Sequence, residues 1–311
     1  MLRIAAPAFL GTFSKAHAAV SRFASHLLPA AGQQGSISIT APFYIRAVYS
    51  SLQLAKKYFQ YYRQAANSKG HGMHSPFVYD FILHVLNNKS GYTPPQAIEQ
   101  LRKQLLHDRT VLMVEDFGAG SRKPTKQKTI RQIAKTAVKP KKYSLMLYRL
   151  VRHYQPQTIL ELGTSLGLTT AYMAAANPQA TLITIEGSRA IQQQALRNFQ
   201  TLGMEFLKSL QGNFDVQLPE VLAAVDQVDL AFVDGNHRLE PTLNYFNQLL
   251  QKRTETSIFV FDDIHWSAEM EAAWRTIQQH PDVRYTIDLF FLGLVFFRPE
   301  FKVKQHFTIR Y

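Results

Sequence analysis

The feature that most constrains the fold of this chain is an apolar strand that runs into a glycine-rich turn. Residues 159–167, with the sequence ILELGTSLG, join this strand to the start of a helix through a Glu-x-Gly-x-x-x-Gly pattern. Two glycines at such a place leave room for a ligand to approach the backbone N–H groups of the helix N-terminus. The sequence therefore predicts a nucleotide-type pocket at the carboxyl end of this strand.

The spacing of this turn differs from that of a dinucleotide-binding loop. In Gly-x-Gly-x-x-Gly a tight pair of glycines admits a pyrophosphate, whereas Gly163 and Gly167 are separated by three residues and follow Glu161. A carboxylate here would repel a pyrophosphate but suits a ligand that carries a cationic amino group. The loop resembles that of class I S-adenosylmethionine-dependent methyltransferases. We expect the following residues to surround the methionine part of this cofactor: Glu161, Gly163, Thr164, Ser165 and Gly167.

A second predicted strand, over 181–185, ends in an acidic residue. A carboxylate about 20 positions after such a loop accepts hydrogen bonds from the ribose hydroxyls of a nucleotide, and Glu186, followed by Gly187, has this place. Beyond a helix over 188–200 and a strand near 205–210, Asn213 and Phe214 offer an amide and an apolar ring for an adenine. These four residues, together with Asp234 at the end of a later strand, complete the predicted cofactor site.

The rest of the chain continues the alternation of short apolar strands and helices, with strands at 228–234 and 257–262. Such alternation predicts an α/β fold with a parallel sheet that is covered on both faces. Two further strands, 285–291 and 292–298, are predicted to form an antiparallel hairpin with its turn at Gly293, as in methyltransferases. The expected fold is a doubly wound, seven-stranded, mostly parallel sheet of the Rossmann-like methyltransferase type. We expect this domain at 140–298, with a C-terminal tail at 299–311.

The first half of the chain differs from the second in charge. Residues 1–150 carry a net charge of +17 and residues 151–311 carry −4, within a total of +13. Such asymmetry is typical of a solvated face and also of an RNA-binding surface, and the basic run from Arg122 to Lys142 contains no aromatic residue before Tyr143. Cysteine is absent and no apolar run approaches the length of a membrane span, so we expect a cytoplasmic protein.

We expect a mainly helical N-terminal extension at 41–139, after a lead at 1–40 that is disordered or lies upstream of the true start. From residue 45 to residue 62 apolar side chains recur at helical spacing. We expect this stripe to pack on the catalytic domain or across a homodimer. The alternative is that it binds an anionic membrane. The stripe consists of Ile45, Val48, Leu52, Ala55, Phe59 and Tyr62. The segment HGMHSPF, from His71, is interpreted as a turn or lid, and metal binding is the alternative. The segment DFGAGS, from Asp116, is interpreted as a flexible loop, and anion binding is the alternative.

Acidic residues follow the fourth and fifth strands of the predicted sheet. Asp234 ends one of these strands, and Asp262 and Asp263 end the next. Because these strands are expected to be neighbours, three carboxylates would converge, and a hard cation such as Mg²⁺ would relieve their repulsion. His237 lies three residues beyond Asp234, where an imidazole could take a proton from an acceptor hydroxyl. Trp266 is a candidate wall of the acceptor site, or a core residue.

The pattern Asp234-Gly-Asn-His237 followed by Asp262-Asp263 resembles the metal-dependent O-methyltransferases of the catechol and caffeoyl-coenzyme A type. It is more similar to the macrolide-sugar enzymes, which have an acidic pair and a His at these places. This resemblance implies an O-methyltransferase that acts on a small molecule or sugar-like acceptor, with metal ligands Asp234, Asp262 and Asp263 and catalytic residues His237 and Asp234. The whole chain also resembles uncharacterised class I methyltransferases of Bacteroidetes, which implies a bacterial enzyme.

Two alternatives remain open from the sequence. An RNA methyltransferase would use the same cofactor site and would grip its substrate with the basic first half. A non-catalytic scaffold would keep the fold and act through the helix at 45–62. The acceptor substrate and the oligomeric state are not determined by these patterns.

Overall fold

A computed structural model describes residues 48–70, 72–88, 95–115 and 126–311. Helix α1 (Ser51–Gln64) comes first, and α2 (Pro76–Phe81) continues into a π-helical turn (Ile82–Leu86). These are followed by α3 (Gln96–Leu105), β1 (Val111–Val114), β2 (Lys126–Thr129), α4 (Ile130–Thr136) and α5 (Lys141–Tyr154). Strands β1 and β2 pair in a small antiparallel sheet of their own. The described part of the N-terminal extension is therefore mainly helical.

The main sheet and its helices alternate along the rest of the chain. The elements are β3 (Thr158–Leu162), α6 (Leu168–Ala176), β4 (Thr181–Glu186), α7 (Arg189–Thr201), β5 (Lys208–Gln211), α8 (Phe214–Ala224), β6 (Val228–Val233), α9 (Leu239–Leu250), β7 (Arg253–Asp262), α10 (Ala268–Gln279), β8 (Tyr285–Asp288), β9 (Leu292–Phe296) and β10 (Gln305–Thr308). Strands β3 and β6 and the buried second half of β7 are short and mostly apolar, because helices cover both faces of the sheet.

The order of strands in the main sheet is β10-β8-β9-β7-β6-β3-β4-β5. Only β9 runs opposite to the others, since it pairs in antiparallel fashion with β7 and β8. The predicted doubly wound methyltransferase fold is confirmed, but the sheet has eight strands and not seven. The eighth, β10, pairs with β8 at the edge of the sheet. Its sequence QHFT is polar and partly exposed, so it gives little strand signal.

The predicted terminal hairpin is present, but its turn is not at Gly293. The chain turns at residues 289–291, where Phe290 has a positive φ of 69°, and Gly293 lies within β9. A Cβ atom at Gly293 would come within 2.6 Å of the Trp274 ring of α10. This glycine therefore allows a tryptophan to pack against the sheet.

Two hydrophobic layers lie on the two faces of the sheet. Helices α8, α9 and α10 cover one face. The other face is covered by α6 and α7 together with α2, α3, α4 and α5 from the first half of the chain. The described extension thus completes one layer of the core. No helix among the described residues is long and apolar enough to cross a membrane.

Helix α1 is present, but its predicted buried stripe is the wrong face. Leu52 is 81% exposed and Phe59 is 61% exposed, and Ile45 lies outside the described residues. The helix instead packs through Leu54, Tyr61 and their neighbours onto Phe290. Both faces of α1 carry apolar residues at helical spacing, so periodicity alone could not select the buried one.

An ionic network also attaches α1 to the second half of the chain. Glu271 of α10 pairs with Lys57 of α1 at 2.8 Å and accepts a hydrogen bond from Tyr49 at 2.9 Å. Its other neighbour is His265, at 3.2 Å.

The segment predicted as a turn or lid begins α2, where Ser75 accepts a hydrogen bond from the N–H of Val78. His71 and the DFGAGS segment lie outside the described residues.

Candidate functional site

The carboxyl ends of four neighbouring strands form the edge on which the predicted site residues meet. In the sheet register Leu162 of β3 lies beside Ile185 of β4 and Val233 of β6, and Val233 lies beside Phe261 of β7. The next residues along these strands are Gly163, Glu186, Asp234 and Asp262. The register therefore brings the glycine-rich turn, the predicted ribose-binding residue Glu186 and two of the acidic residues to the same edge of the sheet.

The turn after β3 has the backbone that its glycines predict, but the space they leave is used by the protein itself. Gly163, Ser165 and Gly167 all have positive φ angles, of 105°, 50° and 75°. A Cβ atom at Gly163 would lie 2.1 Å from the carbonyl oxygen of Asp234, and one at Gly167 would lie 2.5 Å from the Phe199 ring. The glycines thus let β6 and α7 approach the turn closely, and Gly167 is the N-cap of α6.

Glu186 holds the two loops of the predicted cofactor site together. Its carboxylate accepts hydrogen bonds from the N–H groups of Ser165, at 2.8 Å, and Ser188, at 3.0 Å. Each carboxylate oxygen can accept about two hydrogen bonds, so acceptor capacity remains. The hydroxyl oxygens of Ser165 and Ser188 are buried and have no hydrogen-bond partner among the described residues. These unpaired polar atoms suit a polar ligand between the loops.

Glu161 is fully buried within β3. One oxygen accepts hydrogen bonds from the hydroxyls of Thr170 at 2.5 Å and Thr184 at 2.6 Å, and Thr184 also contacts Thr164. The other oxygen has no partner among the described residues. Burial raises the pKa of Glu161 to about 7. The site therefore contains an unpaired acceptor directly beneath the turn.

The predicted adenine contacts lie at the start of α8. Asn213 is the N-cap of this helix and accepts a hydrogen bond from the N–H of Asp215 at 3.0 Å. Phe214 packs edge to face on Tyr245, and its ring contacts the position where Gly235 would carry a Cβ atom. Gly187 accepts a hydrogen bond from Gln211. Phe214 is thus close to the end of β6, next to Asp234.

The acidic residues and His237 come together as the sequence predicts. His237 Nε2 lies 3.6 Å from Asp234 Oδ1 and 3.9 Å from Asp263 Oδ2. Asp263 has a φ of 54°, so the chain turns sharply after β7 and both members of the acidic pair face the same cluster. Trp266, in contrast, packs beside the cluster formed by α1 and Phe290.

Lys139 is the member of this site that sequence reasoning missed. Its ammonium forms a close ion pair with Asp262 Oδ2 and lies 3.4 Å from Asp234 Oδ2. In the sequence it belongs to a basic run, and nothing distinguishes it from Lys141 or Lys142. The one available signal was the predicted excess of carboxylates, which requires a cation from somewhere in the chain.

The charged groups in this cluster change one another's pKa values. Burial raises the pKa of Asp262 to about 7, with the charge of Asp234 adding to the effect and Lys139 opposing it. The pKa values of Asp234 and Asp263 are also raised by burial. Burial alone would lower the pKa of Lys139, but the surrounding carboxylates raise it. The carboxylates thus favour the protonated form of Lys139, whereas burial favours the neutral form of each acid.

The donor atoms of Asp234, His237 and Asp262 lie within 4.8 Å of one another, as in a metal site. Carboxylate oxygens suit a hard divalent cation. However, the ammonium of Lys139 is already paired with one oxygen of each of the two carboxylates, whereas the other oxygen of Asp262 is buried and has no partner among the described residues. The metal predicted from the sequence stays a prediction, and Lys139 competes with it.

Comparison with known proteins agrees with this arrangement. Residues 160–264 match the family model of a methyltransferase domain. The chain has a methyltransferase-type fold. The methyltransferase PaMTH1 of Podospora anserina, solved with S-adenosylhomocysteine, superposes with a TM-score of 0.52 at 13% identity, over 68% of this chain and 91% of that one. This likeness shows the fold.

Two further solved structures are similar at lower TM-scores. The O-methyltransferase of Bacillus cereus has a TM-score of 0.48 at 14% identity, over 67% of this chain and 93% of its own. The O-methyltransferase TomG of Streptomyces achromogenes has a TM-score of 0.43 at 20% identity, over 52% of this chain and 82% of its own. No curated protein matches the sequence.

Proposed function

We propose that this protein methylates a hydroxyl group of a small-molecule or sugar-like acceptor, with S-adenosylmethionine as the donor. The observation that carries the proposal is the alignment of Gly163, Glu186, Asp234 and Asp262 at neighbouring strand ends. It sets a candidate nucleotide pocket directly beside a candidate acceptor site. The match to a methyltransferase domain and the S-adenosylhomocysteine in PaMTH1 support the choice of donor.

The donor side of the site is assigned from unpaired polar atoms. The remaining acceptor capacity of Glu186 suits the ribose hydroxyls, and the buried free oxygen of Glu161 suits a donor at the methionine end. Phe214 and Asn213 at the start of α8 would flank the adenine. When bound, S-adenosylmethionine supplies a methyl group on a sulfonium, and the protein has to orient it toward the acceptor and exclude water.

The acceptor side is assigned from His237. A neutral imidazole can take the proton of a hydroxyl near pH 7, and the carboxylates of Asp234 and Asp263 lie close enough to stabilise the imidazolium that forms. Asp234 Oδ1, 3.6 Å from Nε2, would also help to orient the ring. A divalent cation held by Asp234, Asp262 and Asp263 is the sequence-based alternative for polarising the acceptor oxygen.

Calorimetry with S-adenosylhomocysteine tests the donor assignment. We expect the wild type to bind and Glu186→Ala to bind at least tenfold more weakly, because the ribose hydroxyls lose an acceptor. Glu220→Ala, an exposed glutamate on α8, is the matched control and should bind like the wild type. No binding by the wild type, or equal binding by Glu186→Ala, would remove the basis of the proposal.

A radiolabelled methyl donor tests the acceptor class. We expect label to enter the small-molecule or glycan fraction of a cell extract, with the rate reduced by about 10²-fold or more in His237→Gln while S-adenosylhomocysteine binding stays unchanged. Label that enters RNA and declines steeply with salt would instead establish the RNA methyltransferase alternative.

A further inference from the structure

The acidic cluster contains a cation that belongs to the chain itself. Lys139 Nζ lies between Asp262 and Asp234 and contacts one oxygen of each. The side chain of Asp262 is 1% exposed and that of Lys139 is 15% exposed, so water contributes little to the balance of charge. In such surroundings a carboxylate needs a partner charge within contact distance. This ammonium contacts both carboxylates, and His237 also lies near Asp234.

The backbone of Lys139 is fixed at the point where the chain enters α5. Arg102 of α3 donates a hydrogen bond to the carbonyl oxygen of Lys139 at 2.8 Å and another to the hydroxyl of Ser144 at 3.2 Å. Glu99 pairs with Arg102 at 3.2 Å and with Lys141 at 3.1 Å. The backbone of Lys139 and the residues that follow it are therefore bound to α3. These contacts fix the backbone of Lys139 and thereby pre-organise the position of its ammonium.

We infer that Lys139 is the built-in cation of the acceptor site and takes the place that a divalent metal would have among Asp234, Asp262 and Asp263. A divalent ion bound by the same carboxylates would lie close to the ammonium, and like charges at such distances repel strongly when little water is present. Lys139 and a metal at this cluster therefore exclude each other.

This arrangement narrows the acceptor class, and this step rests on the proposed function. A divalent ion has several coordination positions and favours acceptors that chelate it with two adjacent oxygens. An ammonium has three N–H donors, of which two point to Asp262 and Asp234, so it can bind one acceptor oxygen. The site therefore suits an acceptor that presents a single hydroxyl, and His237 lies across the cluster to take its proton.

Binding of Mn²⁺ to the full-length protein tests the inference without an acceptor. The titrations compare the wild type with Lys139→Met, which removes the charge and keeps much of the side-chain length. We expect the wild type to show no saturable Mn²⁺ binding. We expect Lys139→Met to bind Mn²⁺ at least tenfold more tightly than the wild type does, since the freed carboxylates then need a cation. Lys139→Arg keeps the charge and should behave like the wild type.

Lys141→Met is the matched control. This lysine lies two residues further on, is 54% exposed and pairs with Glu99 instead of the cluster, so its loss should not create Mn²⁺ binding. Wild-type Mn²⁺ binding as tight as that of Lys139→Met, or no gain in Lys139→Met, would overturn the inference. S-adenosylhomocysteine calorimetry on every variant verifies the fold. Failure of that ligand to bind the wild type would instead count against the proposed function, so the two failures are distinguishable.

Discussion

The buried carboxyl group of Glu161 makes a quantitative prediction about stability. Burial raises its pKa from 4.5 to about 7, although Thr170 and Thr184 donate hydrogen bonds to it. A group whose pKa is higher in the folded state binds more protons when folded, so the free energy of unfolding falls as pH rises from about 4.5 to about 7. A difference of roughly 2.5 pKa units corresponds to about 3 kcal/mol.

Glu161→Gln removes this titration and keeps an oxygen that can accept from both threonines. The amide nitrogen would occupy the position of the unpaired oxygen, at a cost of about 1–3 kcal/mol that does not depend on pH. We therefore expect the unfolding free energy of the variant, relative to the wild type, to increase by about 3 kcal/mol between about pH 4 and about pH 8.

Urea denaturation followed by circular dichroism across this pH range measures the difference. Glu220→Gln, an exposed glutamate on α8, is the control and should show no such change. Taking each variant against the wild type cancels the contributions of other buried acids such as Asp262, which titrate in the same window. A free-energy difference between Glu161→Gln and the wild type that stays constant with pH would refute the reasoning.

Three further predictions concern packing and the attachment of α1. Gly293→Ala should lower stability by about 1–3 kcal/mol in urea denaturation, because its Cβ would meet Trp274 at 2.6 Å; an unchanged midpoint would contradict this contact. Leu54→Ala should cost about 2–5 kcal/mol, whereas Leu52→Ala on the exposed face should change stability by about 0.5 kcal/mol or less; equal effects would reverse the assigned face. Glu271→Gln should speed proteolysis near α1 at neutral pH. Burial opposes the lowering of the Glu271 pKa, but His265, Lys57 and Tyr49 bring it to about 2, so this stabilisation exists above about pH 4.5 and is lost toward pH 2. A variant effect that persists at the acid end would exclude this explanation.

The parts of the fold that could be predicted from the sequence are those whose signal is local. The strands at β3, β4, β6 and β7 are short apolar runs, and the residues after them meet because parallel strands end at one edge of a sheet. The convergence of Asp234, His237 and the Asp262–Asp263 pair followed from this geometry together with the strand order that the resemblance to methyltransferases implied. The edge strand β10 gave no such signal because its residues are mostly polar.

The parts that could not be predicted depend on contacts distant in sequence. The buried face of α1 is selected by Phe290, which lies more than 200 positions away, and α1 carries apolar residues on both faces. Gly163 and Gly167 were interpreted as clearance for a ligand, whereas the structure shows β6 and Phe199 in that space. In both cases the local sequence pattern is present in the structure, but contacts distant in sequence determine which residues pack against it.

The most consequential contact of this kind joins the two halves of the chain. The segment that matches a methyltransferase domain begins at residue 160 and supplies Asp234 and Asp262, but Lys139, which pairs with both of them, precedes this segment, and Arg102 binds its backbone. The excess of positive charge in the first half is therefore partly complementary to the acidic edge of the sheet, and not only a solvated face. Since the carboxylates and their cation come from different halves, we expect this charged cluster to form only when the helical extension is packed on the sheet.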